Sequence, residues 1–157
     1  RFHRTPGRDP VVLAGFGRFG QTVLDQLQRD AAGKFGPVIV LDHDATRYAR
    51  AFDDGPGFRD DYQRVVIDGD LRDPDIWSHI HDILRAEGND PVVIAGSGND
   101  GTNLTAALAV RSAHPDAYVI IRNLRASPFT DEIAREAGIH SFNLGELIQS
   151  GMPAAWF

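Results

Sequence analysis

The motif Gly15-Phe16-Gly17-Arg18-Phe19-Gly20 stands between an apolar run at 10–14 and a segment with helical periodicity. In this spacing the first glycine permits a tight strand-to-helix turn, the second lets a ligand approach the backbone, and the third lets the helix lie close to the sheet. Free N–H groups and the positive end of the helix dipole attract phosphate. The motif therefore predicts a phosphate site at a strand–helix turn; a glycine-rich turn without a ligand is the alternative.

Asp42 closes a second apolar run, Val38-Ile-Val-Leu, twenty-two positions after Gly20. An acid at this place can accept hydrogen bonds from both hydroxyls of a ribose. It would also repel a 2′-phosphate, which favours NAD or another adenine nucleotide over NADP. The alternative is that Asp42 caps the next helix, but Asp44 is better placed for that.

From Pro10 onward, apolar runs of four to six residues alternate with segments of helical period. This alternation is typical of an α/β fold, a parallel sheet with crossover helices. The strands are predicted at about 10–15, 37–42, 64–68, 91–96, 117–122 and 139–144. Six strands with five helices predict a single-domain, Rossmann-type doubly wound sheet with strand order 3-2-1-4-5-6.

Helix starts and domain limits can also be predicted. The first helix is expected at about 18–31, and Asp73-Pro74 and Ser127-Pro128 are good cap and first-turn pairs. Residues 1–9 are predicted to be a linker, 10–150 the domain, and 151–157 an apolar tail that either starts a dimerisation segment or is buried in the domain's own core. Together with a first residue that is not Met, the linker predicts a domain from a longer protein.

Composition excludes several classes of function. The chain of 157 residues has a net charge of −6, so a nucleic-acid partner is not expected. It has no cysteine, which excludes disulfides and thiolate metal sites. His79 and His81 are two positions apart on a predicted helix and point away from each other, so they predict no metal site. The sequence has no run that approaches eighteen apolar residues, so no membrane span is predicted.

In an open parallel sheet the ligand lies beyond the carboxyl ends of the strands, near the point where the strand order reverses. After the third strand, the run Asp68-Gly69-Asp70-Leu71 offers an acid for the amino group of adenine, or forms a plain turn. After the fourth, the run Gly96-Ser97-Gly98-Asn99-Asp100-Gly101 predicts a second close approach to a ligand, or a flexible connection. Arg122 after the fifth strand would project a cation into the crevice, or is a solvent-exposed or capping residue. Arg18 in the first loop could reach a phosphate or a partner acid, or remain solvated.

The usual residues for turnover of a nucleotide are missing. Lys34 is the single lysine and does not complete a Tyr-x-x-x-Lys motif, and no Gly-x-Ser-x-Gly elbow is present. The predicted sheet nearly uses up the chain, which leaves no room for a separate catalytic domain. The sequence therefore favours a nucleotide sensor. A small NAD-dependent oxidoreductase, or a subunit of one, is the main alternative, and a Rossmann-like methyltransferase is a weaker one.

Four segments carry a resemblance to a known family: residues 15–21 (Gly-Phe-Gly-Arg-Phe-Gly-Gln), 40–44 (Val-Leu-Asp-His-Asp), 69–70 (Gly-Asp) and 102–104 (Thr-Asn-Leu). Over about residues 10–150 the chain resembles the RCK nucleotide-binding domain (regulator of potassium conductance). Within that family it is most similar to the cytosolic domain of Kef-type potassium efflux systems.

The resemblance implies the cytoplasmic domain of an inner-membrane transport protein, fused to or docked on a potassium channel or a cation/proton antiporter. Such domains bind NAD(H), AMP or ATP and signal by rearranging a homodimer. The family has small residues where this chain has Leu71 and Arg72, so adenine contacts at these two positions are not carried over. Kef proteins have acids in the loop after the fourth strand, where this chain is rich in glycine. Their response to glutathione is therefore not carried over.

The residues expected to bind the nucleotide are the glycine loop, the strand-end acids and their neighbours. The resemblance implies that the loop glycines contact phosphate, Asp42 the ribose and Asp70 the adenine, and it matches Arg122 to an arginine of the family. The full predicted set is Gly15, Phe16, Gly17, Arg18, Phe19, Gly20, Asp42, His43, Asp70, Leu71, Gly96, Ser97, Asn103 and Arg122. No catalytic residue and no metal ligand is predicted.

Overall fold

The structure is a computed structural model that describes residues 9–30, 34–55, 62–88, 90–123 and 128–142. In these residues, strands and helices alternate: β1 (Asp9–Ala14), α1 (Arg18–Asp30), β2 (Phe35–Asp42), α2 (Ala45–Asp53), β3 (Arg64–Asp68), α3 (Pro74–Glu87), β4 (Val92–Ala95), α4 (Asp100–Ala113), β5 (Tyr118–Arg122), α5 (Pro128–Glu136) and β6 (His140–Phe142). The predicted linker up to residue 8, the cap at Ser127 and the apolar tail lie outside the described residues.

The strands form one sheet with the order β3-β2-β1-β4-β5-β6, and every neighbouring pair is parallel. This confirms the predicted doubly wound Rossmann-type fold and its strand order. Among the described residues, the strand limits differ from the predicted ones by no more than two positions. The order reverses between β1 and β4, so the loops after these strands diverge at the carboxyl edge of the sheet.

The apolar strands build a core on both faces of the sheet. Successive side chains of a strand point to opposite faces, so Val11 and Leu13 of β1 pack on one side and Val12 and Ala14 on the other. The first side is covered by buried residues of α1 and α2, and the second by buried residues of α3, α4 and α5. Burial on both faces explains why the strands are nearly continuous apolar runs.

The start of α3 has the predicted cap. The Asp73 carboxylate accepts a hydrogen bond from the Asp75 N–H at 2.9 Å, and Pro74 occupies the first turn, where its missing N–H costs nothing. At the other end, Gly88 has the left-handed conformation (φ 74°) that commonly ends a helix. The Asp73-Pro74 pair therefore begins α3 through contacts within its first turn, as predicted.

The predicted cap of α2 is wrong in its chemistry. Asp44 precedes the helix, but its side chain makes no cap hydrogen bond and pairs with Arg47 at 3.1 Å. Asp68, at the end of β3, accepts bonds from the Thr46 N–H at 2.8 Å and the Thr46 hydroxyl at 2.5 Å. These bonds lower the pKa of Asp68. The helix is thus capped by a carboxylate from the neighbouring strand.

Backbone hydrogen bonds hold the loops beyond β1, β2, β3 and β4 side by side. The Gly15 N–H donates to the Leu41 carbonyl at 2.7 Å, and the Gly69 N–H to the Asp42 carbonyl at 3.0 Å. On the other side of β1, the Gly96 N–H donates to the Ala14 carbonyl at 2.9 Å. These bonds continue the ladders of the sheet by one residue, so the loops begin in register.

Two histidines pack together between α3 and the end of α4. The rings of His81 and His114 meet edge to face with centroids 5.0 Å apart, and the buried Nε2 atom of each has no hydrogen-bond partner among the described residues. Burial lowers the pKa of both, and the nearby Arg85 lowers it further. The neighbouring His114 also lowers the pKa of His81. In the opposite direction, Asp82 raises the pKa of His81 and Asp90 raises that of His114.

This pair predicts a loss of stability in mild acid. As the pH falls, the unfolded chain, with an ordinary histidine pKa of 6.5, binds protons at these two positions more readily than the folded chain does. We therefore expect the melting temperature to fall between about pH 7.5 and 5.5, above the range in which carboxylates titrate. The dependence should flatten in His81→Leu and His114→Leu and persist in His79→Leu, an exposed position on the same helix. An unchanged slope in the first two variants would contradict this account.

Candidate functional site

An open crevice of about 380 Å³ lies at the carboxyl edge of the sheet, where the loops after β2, β3 and β4 meet the first turn of α4. It brings together five of the predicted residues: Asp42, His43, Asp70, Leu71 and Ser97. Its other lining residues are Gly69, Arg72, Gly98, Asn99 and Thr102. This is the location at which doubly wound sheets bind ligands.

Asp42 connects the crevice to the glycine loop. Its Oδ2 atom accepts a hydrogen bond from the Phe16 N–H at 2.7 Å, and its Oδ1 atom accepts one from the Asp44 N–H at 3.0 Å. A carboxylate has about four lone-pair positions, so each oxygen can accept one more bond. Asp42 can therefore hold the loop and a ligand hydroxyl at the same time.

The glycine loop leads directly into α1. The first helical bond at this end runs from the Gln21 N–H to the Gly17 carbonyl at 3.0 Å. The N–H groups before Gln21 have no acceptor within the helix and form the positive end of its dipole. The Gln21 side chain also donates to the Phe16 carbonyl at 3.1 Å, so the peptide groups on both sides of Phe16 are fixed.

The side chains of Phe16 and Phe19 do not face the crevice. Phe16 is 0% exposed and Phe19 is 8% exposed, and both belong to the core between the sheet and the first two helices. A direct side-chain contact with a nucleotide is therefore not available to them in this structure. Their backbone groups remain at the glycine loop.

Three of the predicted glycines are required by the packing of the protein itself. A Cβ atom on Gly20 would lie 2.3 Å from the Gly15 carbonyl oxygen, and one on Gly96 would lie 2.4 Å from the Phe19 ring. Gly15 has a φ of 108°, and its Cβ would lie 2.8 Å from the Ser97 nitrogen. These glycines bring the loops after β1 and β4 and the start of α1 into contact.

Gly17 and Gly98 differ from those three. A Cβ atom on either would meet nothing within 4 Å, and neither has a left-handed φ. Neither crowding by the protein nor backbone conformation therefore requires glycine at these positions. Both lie in the loops at the reversal point, where missing side chains leave the backbone accessible to a ligand.

The wall formed after β3 carries an ion pair. Arg72 donates from Nε to Oδ1 of Asp70 at 3.1 Å and from Nη2 to Oδ2 at 3.0 Å. These bonds, with one from the Arg72 N–H, lower the pKa of Asp70. Asp70 thus faces the crevice as an ionised group whose charge is balanced by its neighbour.

Asn103 holds the loop after β4 but does not line the crevice. Its side chain is 0% exposed. The amide oxygen accepts bonds from the Ser97 N–H at 2.8 Å and the Ser97 hydroxyl at 2.6 Å, and the amide nitrogen donates to the carbonyls of Ser97 and Arg122, both at 3.1 Å. The structure gives Asn103 a positioning role, in contrast to the ligand contact predicted from the sequence.

The two arginines of the predicted set lie apart from the crevice lining. The guanidinium carbon of Arg122 is 4.8 Å from the centre of the Phe19 ring, and its buried Nε atom has no hydrogen-bond partner among the described residues. Arg18 is exposed and lines a separate groove between α1 and α2. Contact of either with a nucleotide stays a prediction.

The predicted set omitted half of the crevice lining. Gly69, Gly98 and Asn99 lie in the strand-end runs 68–71 and 96–101, which the sequence places near the ligand. Thr102 lies in the first turn of the helix that follows. Arg72 was noted as a departure from the family but not as a lining residue. Its signal is its position two residues after Asp70, which lets a short turn direct both side chains to the same wall.

The described residues contain neither a metal-binding cluster nor a membrane-spanning helix. In this part of the chain, no group of three or more histidine, aspartate or glutamate side chains could hold a metal ion. None of the helices seen there has the length and apolar character needed to span a bilayer.

Comparison with solved structures identifies the same fold in proteins of different description. The TrkA-N domain of the inner membrane protein YbaL from Escherichia coli matches with a TM-score of 0.59 and 17% identity, over 91% of this chain and 93% of that one. A protein described as pilus assembly-related, from Burkholderia pseudomallei K96243, matches with a TM-score of 0.50 and 14% identity, over 98% of this chain and 92% of that one. At these identities the likeness concerns the fold alone.

Sequence comparison is more specific. No curated protein matches the chain, but the family model of the TrkA-N domain matches residues 11–143. TrkA-N domains are NAD-binding regulatory domains of potassium transport systems and are generally not catalytic. The resemblance to RCK-type domains is thereby confirmed: this chain belongs to the TrkA-N domain family.

Proposed function

We propose that this domain binds an adenine nucleotide, NAD(H) or AMP/ATP, in the crevice at the carboxyl edge of its sheet. Binding regulates a potassium channel or a cation/proton antiporter of the inner membrane, to which the domain is fused or docked on the cytoplasmic side. The domain acts as a homodimer and carries out no reaction of its own.

The observation that carries this proposal is the position of Asp42. Its carboxylate fixes the Phe16 N–H at 2.7 Å and also lines the crevice. A ribose seated against its remaining lone pairs would direct the attached phosphate toward Gly17 and the first turn of α1. This is the arrangement in which a helix N-terminus binds a phosphate. A 2′-phosphate would meet the Asp42 charge instead.

The open space at Gly17 and Gly98 supports the same ligand. The two glycines flank the reversal point on the β1 and β4 sides, and neither is explained by contacts within the protein. A pyrophosphate or ribose lying against the backbone at these positions would account for both.

Regulation requires that the nucleotide bind two arrangements of the dimer with different affinity. A coupling of about 1–3 kcal/mol is typical of such systems. The described residues offer no Tyr-x-x-x-Lys pair or nucleophile elbow, and the family supports a sensor over an oxidoreductase.

A series of thermal-shift measurements with NAD, NADH, AMP and ATP would identify the ligand. Stabilisation should grow with the ratio of ligand concentration to Kd, reaching about 2.7 kcal/mol at a hundredfold excess. Light scattering of the same samples would report whether the chain is a dimer. Indifference of the melting temperature to all four compounds would refute nucleotide binding.

Replacement of Asp42 should change both affinity and selectivity. We expect Asp42→Ala to weaken the preferred nucleotide by roughly tenfold or more, since a charge-assisted hydrogen bond contributes about 1.5–3 kcal/mol. If NAD is bound, the preference for NAD over NADP should shrink, because the repulsion of the 2′-phosphate is removed. Titration calorimetry of both cofactors measures this. Asp54→Ala, which removes an exposed acid beyond the end of α2, is the control and should leave both affinities unchanged.

The glycines should separate into two groups. Gly17→Val and Gly98→Val should preserve the free energy of unfolding but weaken the nucleotide strongly, because their side chains enter open space where the ligand would lie. Gly96→Ala should instead destabilise the protein by about 1–3 kcal/mol, since its Cβ overlaps the buried Phe19 ring. Chemical denaturation and calorimetry of the three variants distinguish these effects. Full nucleotide affinity in Gly17→Val would show that the pocket is assigned wrongly.

A further inference from the structure

Arg72 lines the crevice, and its guanidinium group is oriented by Asp70. Two nearly parallel bonds, Nε to Oδ1 at 3.1 Å and Nη2 to Oδ2 at 3.0 Å, join it to Asp70. Such a two-point pair sets the orientation of the guanidinium plane as well as its distance. The Arg72 side chain is still 67% exposed, so the bonds to Asp70 leave its guanidinium group accessible to a further partner.

The turn that carries Arg72 is itself held in place. The Asp73 N–H donates to the Asp70 carbonyl at 3.0 Å, and the Arg72 N–H donates to the Asp70 carboxylate at 2.8 Å. The side chain of Trp77 is buried in the core, only 4% exposed. Its indole N–H donates to the Leu71 carbonyl at 2.5 Å. The wall is therefore formed before any ligand arrives.

The sheet order sets the distance between Arg72 and the glycine loop. β3 and β1 are separated by β2, and neighbouring strands lie about 4.8 Å apart, so their loops begin about 10 Å apart. Asp42, at the end of β2, lies between them. A nucleotide with its phosphate at Gly17 and its ribose at Asp42 would place its base, and not a phosphate, against the turn after β3.

We infer that Arg72 is a specificity-determining residue that stacks its guanidinium plane on a purine base. This rests on the proposed nucleotide function and names the base that the site selects. Guanidinium groups stack well on aromatic faces because they are planar, delocalised and weakly hydrated. Since Asp70 balances its charge, Arg72 contributes its flat face more than its attraction to phosphate.

The test compares Arg72→Ala and Arg72→Lys with the intact chain by calorimetric titration of adenosine, AMP and CMP. Stacking predicts that Arg72→Ala weakens adenosine and AMP by the same factor, at least about fivefold, comparable to the loss when an aromatic stacking side chain is replaced by alanine. The preference for AMP over CMP should narrow. Arg72→Lys, which keeps the charge and loses the plane, should behave like the alanine variant.

Arg85→Ala is the matched control, because Arg85 is as exposed as Arg72, pairs with the aspartate three positions before it and lies outside the crevice lining. It should leave all three affinities unchanged. Full affinity in Arg72→Lys, or a loss for AMP without a loss for adenosine, would overturn stacking in favour of a charge contact. If the intact chain binds AMP and adenosine and Arg72→Ala binds them equally well, this inference fails and the proposed function stands. If the intact chain binds none of them, this inference fails, and the proposed function fails with it only if NAD, NADH and ATP also leave the melting temperature unchanged.

Discussion

The hydrogen bond from the Phe16 N–H to the Asp42 carboxylate joins two loops that are 26 residues apart in the chain. It gives the glycine loop its conformation from the neighbouring strand, while the Gln21 side chain fixes the same loop from the helix. The carboxylate that sets this geometry also faces the crevice. Loop shape and the proposed recognition of the ligand therefore depend on one charged group, the carboxylate at the end of β2.

The fold could be predicted from the sequence because its signals are local. Runs that are apolar on both faces, such as Val11 to Ala14, are typical of strands in a covered parallel sheet, and the Asp73-Pro74 pair acts within a single helical turn. The cap of α2 could not be predicted in the same way. The acceptor is Asp68, which reaches Thr46 across 22 positions of sequence, and periodicity contains no information about that contact.

The site was predictable in outline but not in its side-chain directions. Strand order alone places Asp42, Asp70 and Ser97 at one edge, whereas the burial of Phe16 and Phe19 depends on how the loop is folded back onto the core. The sequence does not distinguish the two kinds of glycine. Only the three-dimensional packing separates the glycines whose Cβ would clash with the protein from those whose Cβ would enter open space.

Asn103 has a mechanical consequence. A single buried amide is bonded both to the loop after β4, through Ser97, and to the final carbonyl of β5, through Arg122. The carboxyl ends of β4 and β5 are thereby joined by one side chain, on the side of the reversal point that carries β4. A ligand that displaced Ser97 would therefore also act on the last residue of β5, through one buried side chain.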